Sequence, residues 1–128
     1  MKPTNPKSVV GAKKLNLFLL PPIAMAHMAH GMFDGEIKYG PYEFRKTRVE
    51  ASVYIAACLR HVEAWADGEE TAADSGAHHL GHAMACLAIL LDAQAYGNLV
   101  DDRAKSGVLG KVIDDILAAM RKRLETKR

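Results

Sequence analysis

The sequence predicts an all-α fold, a small bundle of about four helices with a central antiparallel helical hairpin and an irregular N-terminal arm. Apolar residues recur three and four positions apart in long stretches, as they do on one face of a helix. No stretch alternates between apolar and polar residues like a half-buried strand. The length of 128 residues fits one domain. We expect an extended arm over residues 1–20 and a helical bundle over residues 21–125.

The N-terminal third contains the arm, one helix and one loop. Residues 1–20 are polar and interrupted by prolines, and they end in a short apolar strip. Pro22 suits the first turn of a helix, which we predict to run to about Phe33. Residues 35–44 are rich in turn-forming residues and predict a loop.

The second helix has the clearest signals at its two ends. Thr47 and Glu50 have the spacing of a capping box, and Gly68 is a natural stop. Its apolar surface consists of Val49, Val53, Ile55, Ala56, Leu59, Val62 and Trp65. A short acidic loop joins this helix to the next, so the two should pack as an antiparallel hairpin.

The third and fourth helices are predicted from their caps and their apolar residues. Asp74 or Ser75 can cap the third helix, which ends at Gly97, and Ser106 can cap the fourth. The third helix is apolar on most sides, which is typical of a helix buried in the middle of a bundle. The fourth helix carries one apolar stripe, made of Val108, Leu109, Val112, Ile113, Ile116, Leu117, Met120 and Leu124. So much apolar surface on a short bundle predicts a homo-oligomer.

The charges are strongly segregated along the chain. Residues 1–48 contain eight Lys and Arg against three acidic residues, and residues 103–128 again contain eight against three. The middle segment, 49–102, has Arg60 as its single basic residue and nine acidic ones. Basic segments around an acidic centre suit a polyanionic ligand. The simpler alternative is a solvated surface of uneven charge. No aromatic residue interleaves with the basic C-terminal residues, so we do not expect nucleic-acid binding.

The composition predicts a cytoplasmic protein without a membrane partner. The longest apolar run is far shorter than a membrane span, and the polar start does not resemble a signal peptide. Cys58 and Cys86 both fall in apolar helical patterns, so we expect reduced thiols.

Four of the six histidines lie between residues 60 and 82, on both sides of the acidic loop. A hairpin turning near residue 71 places His61 opposite His82, and Glu63 opposite His79. His79 and His82 are three positions apart and share a helical face. Imidazoles and carboxylates gathered at one height predict a divalent-metal or acid–base site.

Within this site, we expect His61, His79 and His82 to bind a divalent metal, namely Mn²⁺, Zn²⁺ or Mg²⁺. One alternative is a structural zinc site built from Cys58, His61, His82 and Cys86. Another is a buried polar network without metal, in which His61 or His82 pairs with Glu63. The sequence has no Walker-type loop, Rossmann fingerprint or nucleophile elbow.

Several segments, in their order and spacing, resemble one known family. These segments are Asn5-Pro6-Lys7, Gly11-Ala12-Lys13-Lys14, Leu20-Pro21-Pro22, Lys38-Tyr39-Gly40, Arg45, Leu59-Arg60-His61, Ala64-Trp65, Gly68-Glu69, Ser75-Gly76 and His79-Leu80-x-His82-Ala83. They resemble the phage-type dATP/dGTP diphosphohydrolase N-terminal domain family over about residues 5–103. The resemblance implies a phage or prophage protein that hydrolyses deoxypurine triphosphates in the host cytoplasm.

A looser likeness is to the all-α, MazG-like nucleotide pyrophosphohydrolases. Those proteins bind Mg²⁺ with Glu-x-x-Glu on one helix and Glu-x-x-Asp on the next. The corresponding positions here are Cys58-x-x-His61 and His79-x-x-His82, so the carboxylate quartet is absent. A histidine cluster can still hold Mn²⁺ or Zn²⁺ and activate water.

The sequence therefore leads to metal-dependent hydrolysis of purine (deoxy)nucleoside triphosphates. The catalytic candidates are His61, Glu63 and Glu69. The candidates for phosphate and nucleotide binding are Lys7, Lys14, Lys38, Tyr39, Arg45 and Arg60. The rival hypothesis is a non-catalytic phage protein that sequesters a nucleotide, with the histidines as hydrogen-bond donors. A third is a structural phage protein whose histidines form a core network.

Overall fold

The computed structural model describes residues 1–127 and confirms the all-α prediction. Within these residues the chain forms six α-helices, one 3₁₀ turn (Leu17–Leu19) and a two-residue parallel strand pair. The helices are α1 (Pro6–Gly11), α2 (Pro22–Tyr39), α3 (Glu43–Lys46), α4 (Ala51–Ala66), α5 (His79–Tyr96) and α6 (Leu109–Lys127). Helix α5 is central, because it packs against both α2 and α4. No helix within residues 1–127 has the length and apolarity needed to cross a membrane.

Helices α2 and α5 cross at two glycines. A Cβ atom added to Gly81 would lie 2.4 Å from the backbone oxygen of His27, and one added to Gly31 would lie 3.0 Å from the oxygen of Gly81. The two backbones touch here because neither residue has a side chain. This crossing fixes α2 beside the N-terminal half of α5, where two of the site histidines lie.

Helix α4 begins at Ala51, three residues later than a cap at Thr47 would place it. Thr47 instead ends α3, and its hydroxyl donates to the backbone oxygen of Glu43 at 3.1 Å. Strand β1 (Val49–Glu50) intervenes and pairs in parallel with β2 (Leu99–Val100). The first turn of α4 is capped from a distance, since Asp102 accepts from the backbone N–H of Ser52 at 2.7 Å. The sequence signal was therefore overridden by a tertiary contact.

Helix α5 begins at His79 and not at Asp74 or Ser75. The preceding loop folds back on itself: the N–H of Ala72 donates to the oxygen of Ala77 at 2.9 Å, and Gly76 has a φ of 72°. The cap is His78, whose Nδ1 accepts from the N–H of Leu80 at 3.0 Å. As a result, the loop lies against the start of α5.

The core consists mostly of small side chains. The buried apolar residues are Val49, Ala51, Cys58, Ala72, Ala77, Ala83, Ala85 and Ala93. Among the described residues, only Val49 is a large side chain that is fully buried. Helix α6 is exposed along its whole length, including its apolar stripe. The single chain thus leaves much apolar surface in contact with water.

Candidate functional site

His61 on α4 and His79 and His82 on α5 lie together, and we call them the imidazole cluster. The Nδ1 atoms of His61 and His79 are 2.9 Å apart, at hydrogen-bonding distance. The rings of His61 and His82 are stacked, with centroids 4.6 Å apart and planes inclined by 14°. The predicted hairpin register therefore brings these three residues to one place.

The carboxylate beside the cluster is Glu69, and Glu63 lies elsewhere. Oε1 of Glu69 is 3.0 Å from Nε2 of His79. The loop places it there, because the N–H of His79 donates to the oxygen of Glu70 at 3.0 Å. Glu63 is exposed on α4, two positions from His61, and residues two apart on a helix face different directions. The hairpin register predicted from residue numbers placed Glu63 opposite His79, but it did not include the path of the loop that carries Glu69.

His79 contains a buried polar atom that has no partner. Its side chain is 8% exposed, whereas that of Glu69 is 58% exposed. Although Glu69 lies close, the contact is not aligned as a hydrogen bond, so within residues 1–127 His79 Nε2 is unsatisfied. Such an atom is costly to bury without a ligand or water. His79 Nε2 is therefore the atom of the cluster that a water molecule or a ligand would be expected to contact.

The surroundings favour neutral imidazoles. Burial lowers the pKa of His61, and the neighbouring His82 and His79 lower it further. Burial also lowers the pKa of His82, although Asp34 and Asp74 act in the opposite direction. Ser75 Oγ accepts from the N–H of Ala77 and lies 2.7 Å from His82 Nε2, so its hydroxyl can donate to that nitrogen. Neutral imidazoles of this kind can accept a proton.

The metal-binding set predicted from the sequence consists of His61, His79 and His82. Within residues 1–127, no group of three or more His, Cys, Asp or Glu side chains is arranged to hold a metal ion. Cys58 and Cys86 are free thiols, and burial raises the pKa of Cys86. The donors that do lie together are His79 Nε2 and Glu69 Oε1. This pair can hold a divalent ion only if other ligands complete the coordination, as phosphate oxygens and water commonly do for Mg²⁺.

A second group of side chains, next to the cluster, was not predicted. His78 Nδ1 accepts a backbone hydrogen bond, so its proton is on Nε2, which lies 3.4 Å from Glu70 Oε2. Trp65 donates to the same carboxylate oxygen at 3.2 Å, and the ring of His27 lies 5.0 Å from that of His78. The adjacent histidines 78 and 79 were the available signal. They differ in role because α5 begins at His79, so that His78 caps the helix while His79 lies in the imidazole cluster.

The candidate phosphate-binding residues differ in how far their charges are already paired. Lys38 Nζ lies 3.0 Å from both Asp34 and Asp74, and hydrogen bonds to these two carboxylates raise its pKa. Arg45 forms a bidentate pair with Asp92 at 2.7 and 3.0 Å. For the others, Lys7, Lys14 and Arg60, no ion pair is found in the described part of the chain. Arg60 adjoins His61 and helps to lower its pKa.

A cavity of about 760 Å³ lies between α2, α5 and the segment from residue 39 to 47. We call it the aromatic cavity, because five rings line it: Phe33, Tyr39, Tyr42, Phe44 and Tyr54. It also contains Glu36, Glu43, Ala85 and Ile89. Of its residues, the sequence had singled out Tyr39 for nucleotide binding. The sequence feature that could have indicated the other lining residues is the cluster of three aromatic residues between positions 39 and 44.

Fold and site define the class of protein as a small all-α domain with a cluster of imidazoles near the tip of a helical hairpin. The chain belongs to the family described as dATP/dGTP diphosphohydrolase, N-terminal, whose model matches residues 4–103. The match confirms the resemblance seen in the sequence, and it includes the imidazole cluster and the aromatic cavity but not α6. No curated protein and no solved structure matches the chain.

Proposed function

We propose that this protein hydrolyses purine deoxynucleoside triphosphates at the imidazole cluster, as part of phage nucleotide-pool metabolism. The observation that carries the proposal is the buried, unsatisfied Nε2 of His79 beside the carboxylate of Glu69. The family description names dATP/dGTP diphosphohydrolase activity. A carboxylate beside an imidazole nitrogen is a pair of groups that can orient a water molecule and accept its proton.

In the proposed reaction, a water molecule held beside both His79 Nε2 and Glu69 attacks the α-phosphorus of the triphosphate. Glu69 takes the proton of the water as a new P–O bond forms and the bond to the leaving diphosphate breaks. His79 orients this water, and His61 holds the ring of His79 through the contact between their Nδ1 atoms. Glu63, the other carboxylate predicted from the sequence, faces away and has no role in this scheme. The proton then passes to the leaving group or to solvent.

We propose that the hydrolysis depends on a divalent metal ion, Mn²⁺, Zn²⁺ or Mg²⁺. His79 and Glu69 are the residues that would hold it, together with phosphate oxygens, and His61 and His82 are the nearest further imidazoles. Since His79 Nε2 has a single lone pair, it would then hold the ion and not the water. When bound, such an ion supplies positive charge that stabilises the transferring phosphoryl group. We assign phosphate binding first to Arg60, Lys7 and Lys14. Lys38 and Arg45 can contribute only by exchanging a carboxylate partner for a phosphate.

We also propose that the protein acts as a homo-oligomer. The support is the nearly all-alanine core together with the exposed apolar side chains. Monomeric proteins rarely expose large contiguous apolar patches.

The test is to incubate the purified protein with deoxynucleoside and ribonucleoside triphosphates, with and without each metal, and to separate the products by chromatography. We expect conversion of dGTP or dATP to the monophosphate, and loss of this turnover in the His79→Ala/His82→Ala double variant. His30→Ala is the matched control, since His30 is exposed and lies outside the cluster. Wild-type turnover in the double variant would refute the proposed site.

The second candidate is a non-catalytic module that sequesters a nucleotide. It is favoured by one observation, the lack of a three-ligand metal group within residues 1–127. It predicts tight, stoichiometric binding, with the nucleotide recovered intact from the protein.

A further inference from the structure

We infer that the aromatic cavity binds the base of the nucleotide and that Glu43 makes it selective for guanine. The inference takes one point from the proposed function, namely that the ligand is a purine nucleotide. The cavity itself, its rings and its carboxylate are features of the fold.

The cavity has the size and lining of a small-molecule site. Its volume of about 760 Å³ is within the usual range for small-molecule sites. Five of the eight aromatic residues of the chain line it. Three of these rings are largely open to solvent, Tyr39 at 70%, Tyr42 at 62% and Phe33 at 56%. Exposed rings around a concave space provide a stacking surface for a flat heteroaromatic base.

Two carboxylates line the cavity: Glu36, which is exposed, and Glu43, which is the less exposed of the two. Glu43 is half-buried, and no hydrogen bond or ion pair to its carboxylate is found within the described chain. It follows Tyr42, which has a φ of 54° and is the one non-glycine residue with positive φ among residues 1–127. This left-handed turn begins α3 and sets Glu43 in the wall of the cavity. The fold thus keeps a carboxylate in an apolar wall without a partner.

The chemistry of the base edges distinguishes guanine from adenine. A carboxylate only accepts hydrogen bonds. Guanine presents two adjacent donors, its N1–H and its N2 amino group, which match the two oxygens of a carboxylate. Adenine presents the N6 amino group beside an N1 acceptor, so one carboxylate oxygen would face a lone pair. Glu43 is therefore expected to favour guanine over adenine.

The aromatic cavity lies close to the imidazole cluster along the hairpin. Ala85 follows His82 by three residues on α5, and Tyr54 precedes His61 by seven residues on α4. At 1.5 Å per residue, the cavity begins about 5 to 10 Å along the hairpin from the cluster. A nucleotide can therefore place its base in the cavity while its phosphates approach the imidazoles.

The test uses monophosphates, which contain no phosphoanhydride bond to hydrolyse. Binding of dGMP, dAMP and dCMP is measured by calorimetry with the wild-type protein and with Tyr39→Ala and Glu43→Gln. Phe18→Ala and Glu125→Gln are the controls, because both residues are exposed and lie outside the cavity. Melting temperatures of all variants establish that they are folded.

We expect Tyr39→Ala to weaken dGMP binding about tenfold or more through the loss of stacking. Glu43→Gln should remove most of the preference for dGMP over dAMP, and both controls should bind like the wild type. Equal binding of dCMP and dGMP by the wild type, or unchanged dGMP binding by folded Tyr39→Ala, would overturn the inference. These binding results do not depend on catalysis. If the protein binds dGMP selectively but leaves dGTP intact, the proposed hydrolysis is refuted and the inference about base binding stands.

Discussion

At the scale of single residues, the two carboxylates near the imidazole cluster make different contacts. Glu69 approaches the buried Nε2 of His79, whereas Glu63 points into solvent from α4. The sequence placed Glu63 opposite His79 because helix heights can be read from residue numbers. It could not place Glu69, because the path of a loop depends on backbone hydrogen bonds that residue spacing does not encode.

This difference predicts distinct effects of two isosteric substitutions. Glu69→Gln removes the proposed base, so turnover of dGTP should fall about 10²-fold or more, the usual contribution of a general base. Glu63→Gln should retain most of the activity. The measurement is initial-rate kinetics on both variants, with the melting temperature as a check on folding. The reverse result, a loss with Glu63→Gln alone, would assign the base to Glu63 and reject the mechanism proposed above.

The lowered pKa values of His61 and His82 predict how stability depends on pH in metal-free buffer. The folded state keeps both imidazoles neutral to a lower pH than the unfolded chain, whose histidines titrate near 6.5. Between these values the unfolded state binds more protons, so the free energy of unfolding should rise with pH and level off above about 6.5. Urea titrations from pH 5 to 8 with a chelator present measure this slope. The slope should become smaller in His61→Asn, and an unchanged slope would contradict the assignment.

At the scale of secondary-structure elements, the helix crossing at Gly31 and Gly81 positions α2 against α5. A methyl group at position 81 would collide with the backbone of His27, which cannot move without shifting α2. Gly81→Ala should therefore destabilise the protein by about 1–3 kcal/mol or more, as overpacking does. Gly35→Ala is the control on α2, since nothing lies within 4 Å of the added Cβ atom. It should instead stabilise the helix by about 0.5–1 kcal/mol, and thermal unfolding of the two variants checks both signs.

The sequence predicted the helices themselves better than their ends. Apolar periodicity located the long helices, because it reflects burial of one face. The ends depend on partners distant in sequence: Asp102 caps α4, and His78 caps α5. A local Thr-x-x-Glu signal at Thr47 was therefore not used as a capping box. The same limit explains why the aromatic cavity was not foreseen, since its rings come from three separate elements.

At the scale of the whole molecule, the single chain does not bury its apolar residues. In α6, Leu109, Ile116, Met120 and Leu124 remain between 54% and 68% exposed. The charges of α6 are also divided along its length. Asp114 and Asp115 precede the middle of the helix, and the basic residues Arg121, Lys122 and Arg123 follow it. An amphipathic helix of this kind is suited to pairing with another helix.

The division of charge indicates that a second α6 would pair in the antiparallel direction. At 3.6 residues per turn, Asp114 and Arg121 share one flank of the apolar stripe, and Asp115 and Lys122 share the other. In an antiparallel pair centred near residue 118, Asp114 and Asp115 of each helix meet Arg121 and Lys122 of its partner. A parallel pair would instead place like charges together, which is destabilising.

This arrangement gives the last prediction, for the oligomeric state of Ile116→Asp. Two copies of α6 centred near residue 118 place Ile116 opposite Met120 of the second copy, in the middle of the apolar contact. A carboxylate there would be buried without a partner, so the assembly should dissociate or bind at least tenfold more weakly. Ala118→Asp carries the same charge on the opposite side of α6 and should assemble like the wild type. Light scattering after size-exclusion chromatography distinguishes these outcomes, and a wild-type monomer, or an Ile116→Asp variant that assembles normally, would exclude α6 as the contact. A double variant that exchanges the signs of Asp114 and Arg121 should assemble like the wild type, whereas either single reversal should weaken the pair, because these two residues share one flank and face each other only when the helices are antiparallel.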